Sequence, residues 1–156
     1  MDVAFSQDSQ SIVTASRDGT ARIWRVKDGA ERVILRGEGA IVSSAAFSPN
    51  ASYVVTASSQ NRTVRLWDAS SGQQIAVLAD SDKAGVKTAL TRAAFSFDGT
   101  RIAVISGEEN VKVIRVFPTP QDLIDYARSA VPRELTPCER KRFFLPVVGE
   151  AGDCPG

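Results

Sequence analysis

The side chains that could carry chemistry are few in this chain of 156 residues. Histidine is absent, which excludes Ser-His-Asp and Cys-His catalysis, imidazole general bases and nearly all catalytic zinc sites, because each needs an imidazole. The two cysteines, Cys138 and Cys154, cannot supply the four ligands of a tetrahedral thiolate site. We expect reduced thiols, with a disulfide as the alternative. The sequence therefore predicts no catalytic, cofactor-binding or metal-ligating residue, and a protein that is not an enzyme.

Two short patterns resemble sites of chemistry but lack a required part. Gly85-Val86-Lys87-Thr88 resembles a phosphate-binding loop, yet that loop needs Gly directly before Lys and a second Gly five residues earlier. Four acidic residues could suggest a cation site, but they lack the spaced oxygen ligands and fixed Gly of a calcium loop. They are Asp80, Asp82, Glu108 and Glu109. We interpret these acids as parts of solvated turns.

The charge balance argues against polyanionic partners. Nineteen basic and eighteen acidic residues are interspersed along the chain, so no net field attracts it to nucleic acid or to an anionic membrane. No stretch approaches the roughly 18 apolar residues of a membrane span, and the N-terminus lacks the basic start and apolar core of a signal sequence. We expect a cytoplasmic protein that binds neither nucleic acid nor membrane.

The elements that would position any functional side chain come from a repeat. Three segments each contain an apolar strand, a Ser-rich strand with a polar turn, and an alternating strand that ends in an aromatic residue. They run from Val3 to Trp24, from Ala45 to Trp67 and from Ala93 to Phe117. Further strands are predicted at Glu31 to Leu35 and at Gln74 to Leu78, after Gly-containing turns. Such a 40 to 50 residue period predicts one supersecondary unit that is stacked repeatedly.

The turns within each unit have matching chemistry. Asp18-Gly19 between two strand-like runs indicates a hairpin. In the second unit Asn61 takes the place of Asp18, and Asn also tolerates such a turn. The third unit closes on Arg115-Val116-Phe117 in place of Arg65-Leu66-Trp67, so we expect Phe117 at the position of the tryptophan.

These residues resemble the WD-repeat β-propeller family. The resemblance is carried by Phe47-Ser48-Pro49, by Asp18 to Trp24, and by Arg65-Leu66-Trp67-Asp68, and it covers residues 1 to 117. It implies an all-β fold, a partial β-propeller of about three four-stranded antiparallel blades followed by a short α-helical tail. The expected blades are 1–35, 41–78 and 90–117, the last of which need not be complete.

In that family a Ser or Thr, the turn Asp, a His and the closing Trp form a hydrogen-bonded network inside each blade. By resemblance the network residues here are Thr14, Asp18 and Trp24 in the first blade, and Thr56, Asn61 and Trp67 in the second. The His is missing, because Arg36-Gly37-Glu38-Gly39 stands where the family has Gly-His. We assign these six residues structural roles and expect blades that are less rigid than in the family.

Three blades cannot close a ring that typically has four to eight. Two outer blade faces would stay exposed, and this much apolar surface is rarely left in water. We expect the chain to be the C-terminal portion of a longer propeller, with Met1 internal or misassigned as the start. The alternative is that copies of the chain, or a partner chain, complete the ring.

After Phe117 the pattern changes to helical spacing. Thr119 is a suitable N-cap before Pro120, and Pro132 would end the helix. A second short helix is predicted from Thr136, so the helical tail covers 118–146 and a flexible end covers 147–156. The stretch 123–145 resembles the tail of bacterial WD-repeat proteins that carry an effector domain ahead of the propeller.

The leading functional prediction is a non-enzymatic scaffold for protein-protein interaction, with contacts made by rigid surface loops. The longer third linker, Ala79 to Ala89, is the best candidate contact loop. The candidate contact residues are Arg17, Arg36, Glu38, Gln60, Lys83 and Lys87. The alternative is a sensor or autoinhibitory region of a bacterial signalling enzyme, whose caspase-like, Toll-receptor-like or NTPase effector lies elsewhere. A propeller hydrolase is disfavoured by the lack of histidine.

Overall fold

The computed structural model describes residues 2–37, 39–80, 90–106, 110–117 and 120–130. The chain divides into two compact units, Met1–Pro118 and Thr119–Gly156. The first unit contains all the described strands and the second contains one helix.

The first unit consists of three antiparallel sheets, which we call blades 1, 2 and 3. Blade 1 contains β1 (Asp2–Phe5), β2 (Ser11–Ala15), β3 (Thr20–Arg25) and β4 (Glu31–Arg36). Blade 2 contains β5 (Val42–Phe47), β6 (Tyr53–Ser58), β7 (Thr63–Asp68) and β8 (Gln74–Asp80). Blade 3 contains β9 (Leu90–Phe95), β10 (Arg101–Ser106) and β11 (Asn110–Arg115). The predicted all-β partial propeller is therefore confirmed, including the outer strands β4 and β8.

Within each blade the strands follow one another in sequence order. Gly19 has a φ of +82° in the turn between β2 and β3, as the Asp-Gly pair predicts, because glycine enters the left-handed region without steric cost. The equivalent turn of blade 2 places a φ of +54° at Arg62 rather than at Asn61. Arg62 follows Asn61 as Gly19 follows Asp18, so Asn61 stands at the position of Asp18, as the sequence predicts, and Arg62 adopts the left-handed φ of the glycine.

Each blade has two distinct faces, because side chains alternate across a strand. In blade 1 the register pairs Phe5 with Ile12 and Ile12 with Trp24, so these three residues share one side. We call this side the tryptophan face; it also contains Val3 and Thr14. The opposite side, which we call the aliphatic face, contains Ala4, Val13, Ala15, Ala21 and Ile23.

The blades stack with unlike faces in contact. The aliphatic face of blade 1 packs on the tryptophan face of blade 2, where Ala45, Val54 and Trp67 complete a buried cluster. The aliphatic face of blade 2 in turn packs on blade 3. Its core residues Val55, Ala57 and Val64 join Ala93, Ile102 and Val104 in a second cluster. Burial of apolar area between the sheets is thus the main cohesion of the unit.

The third blade differs from the prediction in the residue that occupies the tryptophan position. Each blade has an equivalent backbone hydrogen bond of 2.9 Å in the turn between its first two strands, and these bonds define which residues of the three blades correspond. Their carbonyl acceptors are Ser11, Tyr53 and Arg101. In this alignment Ile114 stands opposite Ile102 as Trp67 stands opposite Val54. Phe117 follows the end of β11, so the prediction that it replaces the tryptophan is wrong. The residue that corresponds to the tryptophan is therefore determined by the strand register that the turn sets, and not by which residue near the end of the repeat is aromatic.

Blades 1 and 2 also meet closely at their outer strands. Gly72 has a φ of +73° in the turn before β8, and a Cβ atom there would lie 2.7 Å from Val33 Cγ1 and 3.2 Å from the Ile34 carbonyl oxygen. Real Cβ atoms do not approach other atoms that closely. The absence of a side chain at this residue therefore permits the observed spacing of the two blades.

The second unit contains α1, Pro120–Ala130. The predicted start is confirmed, with Pro120 in the first turn, where its missing N–H costs nothing, and Asp122 near the positive end of the helix dipole. The predicted second helix, the flexible end and both cysteines lie outside the described residues.

Candidate interaction surface

The predicted structural residues Thr14 and Trp24 are in direct contact. Trp24 Nε1 donates a hydrogen bond to Thr14 Oγ1 at 2.9 Å, and in blade 2 Trp67 Nε1 donates to Thr56 Oγ1 at 2.8 Å. The bond links the second and third strands of each blade through their side chains. It also satisfies the indole N–H, which would otherwise cost free energy when buried.

Asp18 serves the turn rather than the Thr14 and Trp24 pair. Its Oδ1 accepts hydrogen bonds from the Thr20 hydroxyl at 2.7 Å and from the Thr20 backbone N–H at 2.9 Å. These bonds, led by the one from the hydroxyl, lower the pKa of Asp18 to about 2. Asn61 accepts a bond from the Thr63 hydroxyl at 3.3 Å. Both residues therefore anchor the start of the third strand in their blades.

The contacts of Arg22 were not predicted from the sequence. Its Nη2 lies 2.7 Å from Asp18 Oδ2 and its Nε lies 3.4 Å from Glu31 Oε2, so one guanidinium joins the turn to the outer strand. Arg65 occupies the same place in blade 2, where its Nη1 donates to Gln74 Oε1 at 2.6 Å. The recurring Arg before the Ile-Trp and Leu-Trp pairs was the signal that could have revealed this role.

The connection between blades 1 and 2 is fixed by hydrogen bonds to both. Val42 N donates to Ser16 O at 3.1 Å, and Ser58 Oγ donates to Ile41 O at 2.8 Å. A Cβ atom at Gly37 would lie 3.6 Å from Trp67 Cη2, so the start of the connection runs beside the indole ring. The segments 16–19, 36–37, 39–41 and 59–62 therefore meet at one end of blades 1 and 2, which we call the linker end.

Three of the predicted contact residues lie at this linker end. Arg17, Arg36 and Gln60 are exposed there. The other three, Glu38, Lys83 and Lys87, lie outside the described residues. Asp18 is paired with Arg22, and the other exposed charged side chains among the described residues of the linker end are Arg17 and Arg36. The surface is thus basic and is presented by turns that hydrogen bonds hold in place.

A cavity between blades 2 and 3 was not foreseen from the sequence. It has a volume of about 190 Å³ and its apolar lining includes Tyr53, Leu66, Ile75, Phe95 and Val116. The turns at Ser48–Asn50 and Asp98–Gly99 border it, at the end of the blades opposite to the linker end. No sequence motif marks it, because its walls are ordinary strand residues brought together by stacking.

The described residues contain neither a candidate metal cluster nor a membrane-spanning helix. No group of three or more His, Cys, Asp or Glu side chains among them could hold a metal ion. No described helix is both long enough and apolar enough to span a bilayer.

Comparison with known proteins supports the repeat assignment. Residues 1–25 and 29–68 match the family "WD domain, G-beta repeat". An uncharacterized WD repeat-containing protein of Synechocystis sp. is 39% identical over 80 residues, which are 51% of this chain and 23% of that protein. THO complex subunit 3 of Arabidopsis thaliana is 26% identical over 161 residues, which cover 99% of this chain and 43% of that protein.

Human Coronin-7 is 30% identical over 123 residues, which cover 74% of this chain and 13% of that protein. The chain therefore spans less than half of the length of each of these three relatives. The family match covers blades 1 and 2, and the stacked sheets extend the same architecture through blade 3. Residues 1–25 and 29–68 thus match WD repeats, and the first unit has the architecture of a partial β-propeller.

Proposed function

We propose that this chain is a protein-interaction scaffold whose linker end binds an acidic segment of a protein partner. WD repeats generally mediate protein-protein interactions, and one relative is by name a subunit of a complex. The observation that carries the proposal is the convergence of two turns and the end of β4, which expose Arg17, Gln60 and Arg36.

The geometry of the linker end favours protein recognition over catalysis. Its turns are held by backbone and Ser hydroxyl bonds, so little conformational entropy is lost when a partner binds. Its exposed cations can steer and orient an acidic segment, and Arg can bind a carboxylate through two hydrogen bonds. No nucleophile and general base are paired among the bonds described at this end, so we assign it no reaction.

The alternative, a sensor region of a bacterial signalling enzyme, is not favoured by any contact in the described residues. It differs from the scaffold in what lies elsewhere in the polypeptide rather than in the chemistry of these blades. We therefore keep the scaffold as the single proposal.

The test compares two charge-reversal variants in affinity capture from extract of the source cells. Arg17→Glu combined with Arg36→Glu reverses the linker end, and Arg32→Glu is the matched control, because Arg32 is exposed on β4 and borders a groove at the other end of the blades. We expect proteins identified by mass spectrometry to be retained by the wild type and the control, and lost by the double variant. Equal capture by all three, or capture that nuclease treatment abolishes, would contradict the proposal.

A further inference from the structure

The first unit ends on two unlike faces that are exposed in the part of the chain that the structure describes. On the tryptophan face of blade 1, Val3 is 63% exposed and Phe5 is 60% exposed. On the aliphatic face of blade 3, Val111 is 63% exposed and Val113 is 59% exposed. Aliphatic and aromatic side chains this exposed and this close together mark a surface for association.

The interior of the unit shows what covers each kind of face. The residues of blade 2 that correspond to Val3 and Phe5 are Ala45 and Phe47, and both pack against the aliphatic face of blade 1. The residues of blade 2 that correspond to Val111 and Val113 are Val64 and Leu66, and both pack against the tryptophan face of blade 3. The two exposed faces are therefore the two halves of a contact that already occurs twice within the chain.

We propose that a second copy of this chain binds head to tail, with the aliphatic face of blade 3 of one copy on the tryptophan face of blade 1 of the other. The complement of each exposed face is present in the same sequence, so an identical chain supplies it. The new contact repeats the stacking within the chain, because blade 1 of the second copy would pack on blade 3 of the first as blade 3 packs on blade 2.

Charge complementarity supports this order. Tyr53 of blade 2 and Asp98 of blade 3 line the same cavity. The residue of blade 3 that corresponds to Tyr53 is Arg101, and the residue of blade 1 that corresponds to Asp98 is Asp8. Head-to-tail binding would therefore place a guanidinium of one copy and a carboxylate of the other in the walls of one cavity. Hydrogen bonds from Ser6 and Gln10 lower the pKa of Asp8, so it carries its charge at neutral pH.

A head-to-tail contact has a definite consequence for assembly. After two copies bind, each still has one of its two faces exposed. These remaining faces either bind each other and close a ring, or bind further copies. Both outcomes contain the same interface, and the stoichiometry tells them apart.

The first test is the molar mass of the purified 156-residue chain by size-exclusion chromatography with light scattering. We expect twice the 16.7 kDa of one chain, or a higher multiple. A monomer that is folded by circular dichroism at about 100 μM would overturn the proposal. In that case the faces are covered by other polypeptide.

The second test separates this contact from a symmetric pairing of like faces. Phe5→Glu places a charge on the tryptophan face and Val113→Glu places one on the aliphatic face, and each should raise the dissociation constant by at least about tenfold. A mixture of the two variants retains one intact pair of faces, so we expect it to form a heterodimer although each variant alone is monomeric. Failure of the mixture to associate would contradict head-to-tail binding.

Two controls keep this test interpretable. Val77→Glu introduces the same charge at a 46% exposed valine on the outer strand of blade 2, away from both faces, and should leave the mass unchanged. The exchange Asp8→Arg with Arg101→Asp should restore association that either single change weakens. Loss of circular dichroism in Phe5→Glu would move the test to Val113→Glu, whose exposed site tolerates the charge.

Discussion

Blades 1 and 2 contain the same hydrogen bond in different surroundings. The indole N–H of Trp24 donates to Thr14 at 2.9 Å and that of Trp67 donates to Thr56 at 2.8 Å. Trp67 is 1% exposed because blade 1 covers it, whereas Trp24 lies on an uncovered face and is only partly buried. The repeat thus determines that the Trp–Thr hydrogen bond forms. The neighbouring blade determines how strongly that bond contributes to the free energy of unfolding.

Blade 3 shows that the bond can be replaced when both of its partners change together. Val104 and Ile114 stand at the positions of the threonine and the tryptophan, and both pack in the cluster with blade 2. Replacing both polar partners with apolar residues leaves no buried donor unsatisfied. The stacking of faces, rather than the hydrogen bond, is therefore the feature common to the three blades.

We expect the largest change in the free energy of unfolding when the two tryptophans are truncated to alanine. We expect Trp67→Ala to lower the free energy of unfolding by about 3–5 kcal/mol, because it leaves a cavity between blades 1 and 2. Trp24→Ala should cost less than half of that, since water already reaches its ring. Urea unfolding at low protein concentration, where copies do not associate, measures both.

An equal loss in the two variants would contradict the comparison, because it would mean that the cover from a neighbouring blade contributes nothing. Trp67→Phe is a useful control. It keeps most of the ring volume and removes the N–H, so its loss should fall well below that of Trp67→Ala.

A smaller effect is expected from removal of the hydrogen bond alone. Thr56→Val leaves the Trp67 N–H buried without its present acceptor and should cost about 1–3 kcal/mol. Thr14→Val should cost under about 1 kcal/mol, because the Trp24 N–H can turn to water instead. The difference between the two urea midpoints is the measurement, and a larger loss in Thr14→Val would show that burial is not the cause.

The smallest effect concerns three acids, one from each blade, which lie in different turns but should respond alike to pH. Hydrogen bonds from nearby hydroxyl and backbone N–H groups lower the pKa of Asp18, Asp68 and Asp98 to about 2, from an ordinary value of 3.8. Because the folded-state pKa is the lower one, their stabilising contribution is complete above about pH 4. It is lost as the pH falls from there toward 2.

We expect Asp18→Asn and Asp68→Asn each to reduce the slope of thermal stability against pH between pH 4 and pH 2 by a similar amount. The contacts lie within single turns, so the cover that distinguishes Trp67 from Trp24 should not matter here. A pH dependence confined to Asp68→Asn would contradict this expectation. Asp2→Asn, which changes an acid outside these turns, serves as the control.

The sequence predicted most of the fold because the repeated pattern is dense. The alternation around Trp24 and Trp67, with the Asp18-Gly19 turn, was enough to locate the strands of blades 1 and 2. The third blade was misaligned at Phe117, because β11 contains apolar residues at adjacent positions and the pattern alone fits more than one register. The turn bond between Ser96 and Arg101 decides the register, and a bond of that kind is visible only in three dimensions.

The candidate surface was predicted less well than the fold. Arg17, Arg36 and Gln60 were placed on one face by their position in turns, and turn positions follow directly from the repeat. Arg22 was missed, because its contacts to Asp18 and Glu31 depend on the pairing of β3 with the outer strand. The cavity lined by Tyr53 and Phe95 was also missed, because it exists only between two stacked blades.

Gly72 allows the outer strands of blades 1 and 2 to lie close together. The turn that contains it rests directly on Val33 and Ile34 of the preceding blade, so any side chain there would act as a wedge at the outer rim. A side chain at this position would therefore require Val33 to move or the two outer strands to separate.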